Sequence, residues 1–195
     1  MVDNALLLSY IVCEMEIFNV HWEGPYSFDE AISQPEARGV GVYAEYRSGS
    51  KKVETRTAFA TTTKIKKTKG LYYIGKSKEL TRRFGEHKRG LSHFVSKEQL
   101  KKSSIYIGVI HWYKKTQSSA DISPRQLHDI ETFLITFPSL KPPGNGETTK
   151  QRYKGEDIMI INTGKIGALD KFMCSNPELV TFLKNSLAPR KKLQD

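Results

Sequence analysis

Six polar side chains stand in an order and spacing that can do chemistry together: Tyr43, Tyr73, Arg83, His87, Glu131 and Asn145. Arg83 and His87 are four residues apart in a predicted helix, so they share one of its faces. Tyr43 closes the triplet Gly41-Val42-Tyr43 in one strand signal, and Tyr73 opens Tyr73-Ile74-Gly75 in the next. Strand alternation lets the two phenols point at one site while Tyr72 faces the other side and packs. Glu131 falls on an apolar helix stripe with Leu127, Ile130, Leu134 and Ile135. A carboxylate there needs a cation, a hydrogen-bond network or a metal. Each residue also has a plain structural reading. Arg83 can be a surface arginine bridged to Glu79, the tyrosines half-buried in a sheet, and Asn145 a turn residue in Pro143-Gly144-Asn145-Gly146.

Other chemistries fall away. The five histidines lack zinc-type spacing, no His-Glu-x-x-His occurs, and no glycine loop of the phosphate-cradling or dinucleotide kind is present. Two cysteines, Cys13 and Cys174, lie far apart and form no metal motif, which points to a reducing, cytoplasmic setting. No run approaches the ~20 apolar residues of a membrane span. The apolar stretch 5–12 has no basic region before it and meets Glu14 and Glu16 at once, unlike a secretory signal. Lys and Arg number 31 against 21 Asp and Glu, a formal net charge of +10. Such a surplus favours a polyanionic partner through counterion release.

The elements that must position these residues follow from local signals. Residues 15–22 read as a strand or short helix, broken by Gly24-Pro25. Ser27 and Glu30 form a capping box for a helix over 28–33. Strands are predicted over 39–46, 71–75 and 105–113 by alternation, with a weaker one over 158–161. Helices are predicted over 80–89, from Ser123-Pro124 to about residue 137, and over 176–187. Between the first two strands, 47–70 is strongly basic, with Arg47, Lys51, Lys52, Arg56, Lys64, Lys66, Lys67 and Lys69 against Glu54 alone. It reads as a long, partly ordered hairpin or loop, in which Phe59 can wedge or pack.

The ordered set Tyr43, Tyr73-Ile74-Gly75, Arg83, His87, Glu131 and Asn145 resembles the GIY-YIG nuclease superfamily over roughly 41–145. The segment 39–46 and the long insertion look like the superfamily's restriction-type members, and Trp22–Ser27 like its stand-alone bacterial members. The resemblance implies a mixed α/β (α+β) fold: a small central antiparallel sheet of about three strands, flanked by helices. It implies a nuclease core over 39–146 carrying the basic insertion, with extensions over 1–38 and 147–195. It further implies a metal-dependent endonuclease cutting DNA, double-stranded and site-specifically. The alternatives are a structure-specific repair or recombination nuclease, and an inactive nucleic-acid-binding protein of the same fold.

In that reading Glu131 binds Mg2+ or Mn2+, since one carboxylate plus waters suits a cation that dehydrates reluctantly. Arg83 bonds the phosphate, and the resemblance implies that Tyr43 activates or orients the attacking water. Tyr73 and His87 bond the phosphate or relay a proton, and Asn145 completes the set. Lys51, Lys52, Arg56, Lys64, Lys66, Lys67 and Lys76 are the expected nucleic-acid contacts. A double-strand cut by one active site per chain calls for a homodimer or sequential nicking.

Overall fold

Two kinds of local signal set this chain's frame: alternating strands, and helices opened by a serine cap. The computed structural model describes residues 15–56, 61–89, 102–112, 122–137, 140–167, 169–176 and 179. The chain runs β1 (Glu16–Tyr26), α1 (Phe28–Ser33), a 3-10 turn (Pro35–Arg38), β2 (Gly41–Arg56), β3 (Thr61–Ser77) and α2 (Leu80–Lys88). It continues through β4 (Ser103–Trp112), α3 (Pro124–Thr136), a second 3-10 stretch (Pro143–Lys150), β5 (Ile158–Gly164) and β6 (Phe172–Cys174). The capping box predicted at Ser27 forms, and the helix start at Ser123 is a second one. Ser27 and Ser123 each accept from the backbone N–H three residues on, and Glu30 and Gln126 each accept from the cap's own N–H. Most of the helix predicted over 176–187, together with Cys13 and Phe59, lies outside the described residues.

The expectation of about three strands is wrong. Among the described residues the sheet has six, in the order β3-β2-β4-β1-β5-β6. β1 inserts beside β4 antiparallel and beside β5 parallel, so residues on both sides of 39–146 extend the same sheet. Alternation marks a segment as a strand but says nothing about its neighbours, and these neighbours are far apart in sequence. Gly24-Pro25 does not end β1 either. The register shifts between Glu23 and Tyr26, and the bulge absorbs the two residues. Gly24 has φ +132°, and a Cβ on it would stand 2.7 Å from the Ile105 carbonyl oxygen, so only glycine fits there.

The pleat sorts the core into two layers. Phe18, Val20, Trp22, Val42, Ala44 and Ile74 bury one face of the sheet against Leu127, Ile130, Phe133 and Leu134 of α3. Tyr43, Ile105 and Ile107 bury the other against Phe28 of α1 and Leu80 and Phe84 of α2. The site is therefore built from two helical layers separated by the sheet.

The basic insertion is an ordered ribbon in its backbone. β2 pairs with β3 from Gly41↔Ser77 to Arg56↔Thr61, with one register shift between Glu45 and Tyr46, whereas β4 leaves β2 at Arg47↔Ser103. Beyond that point the two strands pair with each other alone, reaching about 30 Å past the sheet at ~3.4 Å per residue.

Candidate active site

β3 is an edge strand of the sheet, and the candidate residues gather around it. Register places Tyr43 opposite Gly75 and Glu45 opposite Tyr73, so Tyr43 and Tyr73 stand diagonally on one face. Their ring centroids are 5.9 Å apart. A Cβ on Gly75 would meet the Tyr43 ring at 2.5 Å, which is why glycine ends the second triplet: the first phenol lies across it. Phe84 holds the same ring edge-on at 5.2 Å.

The turn from β3 into α2 aims the next two residues. Ser77 Oγ donates to the Glu79 carbonyl at 2.7 Å and accepts from the Glu79 N–H at 3.0 Å, and the helix starts at Leu80. One turn later Arg83 brings its positive charge to bear on both phenols, with its Nη1 3.2 Å from Glu86. His87 follows on the same helix face, 4% exposed, with Nε2 2.8 Å from the Tyr43 hydroxyl. Tyr43 is itself 2% exposed. Half-buried Tyr73 and Arg83 thus form the accessible wall, with Tyr43 and His87 behind them.

Burial decides the charge states. It pushes the Tyr43 phenol well above its ordinary range, with the neighbouring Tyr73 adding to the shift and Arg83 opposing it. Tyr73 is raised by burial and by the Glu131 carboxylate, against Arg83 and the Tyr43 hydroxyl. His87 is lowered to about 4, first by burial and then by Arg83, with Glu86 opposing. At neutral pH the core of the site therefore holds two neutral phenols and a neutral imidazole beside one guanidinium.

A depressed folded pKa has a definite sign in stability. Above pH ~6.5 both folded and unfolded chains carry neutral His87. As pH falls from there towards about 4, the unfolded chain takes up a proton that the folded one resists, so stability is lost through that window. The stability difference between the parent and His87→Gln, read from urea unfolding, is expected to shrink on acidification between those limits. A pH-independent difference would contradict the assignment of a neutral, buried His87.

Glu131 reaches the same edge from the opposite layer. Its carboxylate, 17% exposed, lies 2.9 Å from Lys76 Nζ, which is also 2.6 Å from His128 Nδ1. Among the described residues no group of three or more His, Cys, Asp or Glu converges on a metal position. Glu131 instead offers one partly exposed carboxylate, a hard oxygen ligand, with Lys76 and His128 beside it. That fits a magnesium or manganese ion keeping most of its waters. Lys76, expected among the nucleic-acid contacts, is bound to that carboxylate instead of standing free.

Asn145 acts on the strand. Its Oδ1 accepts from the Ile74 N–H at 2.9 Å and its Nδ2 donates to the Ile74 carbonyl at 2.8 Å. An edge strand leaves such groups open, and here a side-chain amide takes the place of a further strand. Asn145 thereby positions the residues on either side of Ile74. Asn145→Ala leaves both groups without their partner and is expected to cost about 1–3 kcal/mol of stability, measured by urea unfolding. An unchanged midpoint would remove this role.

Lys51, Lys52, Arg56, Lys64, Lys66 and Lys67 are on the ribbon, with Lys51 paired in register to Lys66, Ser50 to Lys67 and Val53 to Lys64. Arg47, at the ribbon's base, is structural: its guanidinium lies 3.5 Å over the Tyr72 ring and its Nε donates to buried Glu45 at 2.6 Å. The spacing of Glu45 and Arg47, two apart in a strand, carried that signal. The Lys76–Glu131 pair and the Glu86 fork on Arg82 and Arg83 are the site features that sequence reasoning missed. The fork was visible as i,i+4 and i,i+3 spacing. The Lys76–Glu131 pair left no local trace.

Residues 63–135 match a family described as the GIY-YIG catalytic domain. The match spans Tyr73, Gly75, Arg83, His87 and Glu131 and leaves Tyr43 and Asn145 outside it. No curated protein and no solved structure matches the chain. Among the described residues no helix is long and apolar enough to cross a membrane.

Proposed function

From a chain that belongs to the GIY-YIG nuclease superfamily, we propose a metal-dependent endonuclease that hydrolyses phosphodiester bonds of double-stranded DNA, with site-specific, restriction-like cutting as its role. The observation that carries the reading is the meeting of Tyr43, Tyr73, Arg83 and His87 in one contact set at the β3 edge, with Glu131 reaching the same edge. The catalytic core is taken as 39–146.

In this reading Arg83 and Tyr73 bind the phosphate, because they form the accessible wall. Arg83 offsets the charge that develops on the phosphoryl oxygens. The Tyr43 hydroxyl takes a proton from the attacking water while passing its own to Nε2 of neutral His87, so no free phenolate is needed. A bound phosphate anion beside His87 favours the imidazolium that results. Glu131 would hold the divalent ion, magnesium or manganese, which when bound would supply Lewis-acid polarisation of the phosphate. Asn145 positions β3 through Ile74.

The ribbon supports the choice of substrate. A two-stranded β-ribbon fits the ~12 Å major groove of B-form DNA, whereas the deep, narrow groove of A-form RNA admits no such element. Its cations, Lys51, Lys52, Arg56, Lys64, Lys66 and Lys67, occur on both strands and offset phosphate charge without reading sequence. Cutting both strands calls for a homodimer or two successive nicks.

A plasmid assay with magnesium or manganese tests the reading. Discrete fragments are expected. Cutting confined to branched or flapped DNA would replace restriction with repair or recombination, and no cutting with any divalent ion would sink the nuclease function.

A further inference from the structure

Beside Arg83 a cavity of about 300 Å3 opens between the start of α2 and the start of α3. Lys76, Lys78, Arg82 and Arg83 line it, and one carboxylate, Glu86, lies among them. Glu86 is forked. Oε1 takes Arg82 and Oε2 takes Arg83 at 3.2 Å, from one and nearly one helical turn away. The carboxylate is 20% exposed and Arg82 62%, so the pair stands at the cavity mouth and not in the core.

Four cations around one acceptor are more than Glu86 neutralises. Lys76 is already paired with Glu131, whereas Lys78 is exposed on the cavity wall. Each guanidinium donates through Nη1 to its own Glu86 oxygen, and phosphate oxygens can accept the same charge-assisted bonds. Glu86 therefore holds the arginines in the arrangement that a phosphate would use. Arg83 borders both this cavity and the Tyr43–Tyr73 wall.

We propose that this cavity is a subsite for the phosphate adjacent to the scissile one, with Lys78 and Arg82 as its cations and Glu86 as an internal anion that the incoming phosphate displaces. The inference rests on the nuclease reading of the neighbouring site and deepens it: the substrate is a polynucleotide strand gripped at two successive phosphates. Glu86 also has a cost to the free enzyme. While it occupies Arg82 and Arg83 it competes with nucleic acid, which keeps loosely bound anions out of the subsite.

The test is a cycle between protein and substrate. A duplex oligonucleotide carrying the bond cut in the plasmid assay is prepared with single neutral methylphosphonates at each phosphate flanking that bond. In the parent enzyme one flanking replacement is expected to raise KM by about tenfold, the size of one lost charge-assisted contact. In Lys78→Ala/Arg82→Ala the same replacement is expected to change KM by less than about twofold, because the contact is already gone. Equal penalties in parent and variant would overturn the subsite.

A binding arm separates this outcome from failure of the nuclease reading. With EDTA present and no cleavage, the double variant's slope of log K against log salt on duplex DNA is expected to fall by about 0.9, one phosphate's worth. An unchanged slope would count against the subsite even if the enzyme cuts. Glu86→Gln is expected to tighten duplex binding by about three- to tenfold, since it removes the competing charge. Weaker binding would overturn its role as displaceable anion.

Discussion

The Glu131→Gln variant is expected to lose hydrolysis by at least about 10³-fold while binding duplex DNA within about threefold of the parent. Charge stabilisation by a bound divalent ion is worth several kcal/mol, and each ~1.4 kcal/mol is a factor of ten in rate. Glutamine keeps the side chain's length and an oxygen that accepts from Lys76, so α3 and its packing through Ile130 and Leu134 should survive. What it removes is the negative charge that would hold the ion and that now faces Lys76 2.9 Å away. The measurement pairs a cleavage time course across a magnesium series with fluorescence anisotropy on the same duplex. A variant that cuts at the parental rate would show that Glu131 holds no catalytic metal. A variant that neither cuts nor binds would move Glu131 into substrate binding.

Tyr43→Phe is the second large effect. The ring stays where Gly75 and Phe84 require it, and only the hydroxyl is lost. That hydroxyl lies 2.8 Å from His87 Nε2, and Arg83 and Tyr73 act on the same phenol. If it passes the water's proton to His87, kcat should fall by about 10²–10⁴-fold with little change in KM, the range for losing a positioned acid or base. Stability should fall by a smaller amount, about 1–3 kcal/mol, because buried Nε2 is left without that partner. A kcat within twofold of the parent would exclude the hydroxyl from proton transfer. A similar loss in His87→Gln, not compounded in the double variant, would place both residues on one relay.

The sequence was legible wherever the physics is local. Ser27 with Glu30 and Ser123 with Gln126 opened helices as capping boxes because both bonds of the box lie within one turn. Arg83 and His87 shared a face because they are one helical turn apart, and the two tyrosine triplets marked strands by alternation. The set Tyr43, Tyr73, Arg83 and His87 came together largely as its spacing implied.

The features that were not legible depend on partners distant in the chain. The strand count was short because β1 and β5 belong to the sheet through pairings with each other and with β4 across 80 to 140 residues. Asn145 was expected in the catalytic set, with a turn residue as its plain reading, and its amide bonds both backbone groups of Ile74, 71 residues earlier. Arg47 looked like one more cation of the basic stretch; its Glu45 partner was local, but the Tyr72 ring beneath it comes from the next strand.

The division at the site itself has the same cause. Sequence alone determined which side chains are candidates for the chemistry, in the order Tyr43, Tyr73, Arg83, His87 and Glu131, because types and intervals along a helix or strand are properties of the chain. Tertiary structure alone decided that they meet at an edge strand, the first four from one face and Glu131 from the other, with Lys76 holding its carboxylate. A hydrophobic period tells a segment which of its faces to bury, but which layer it is buried against is settled when the whole core packs.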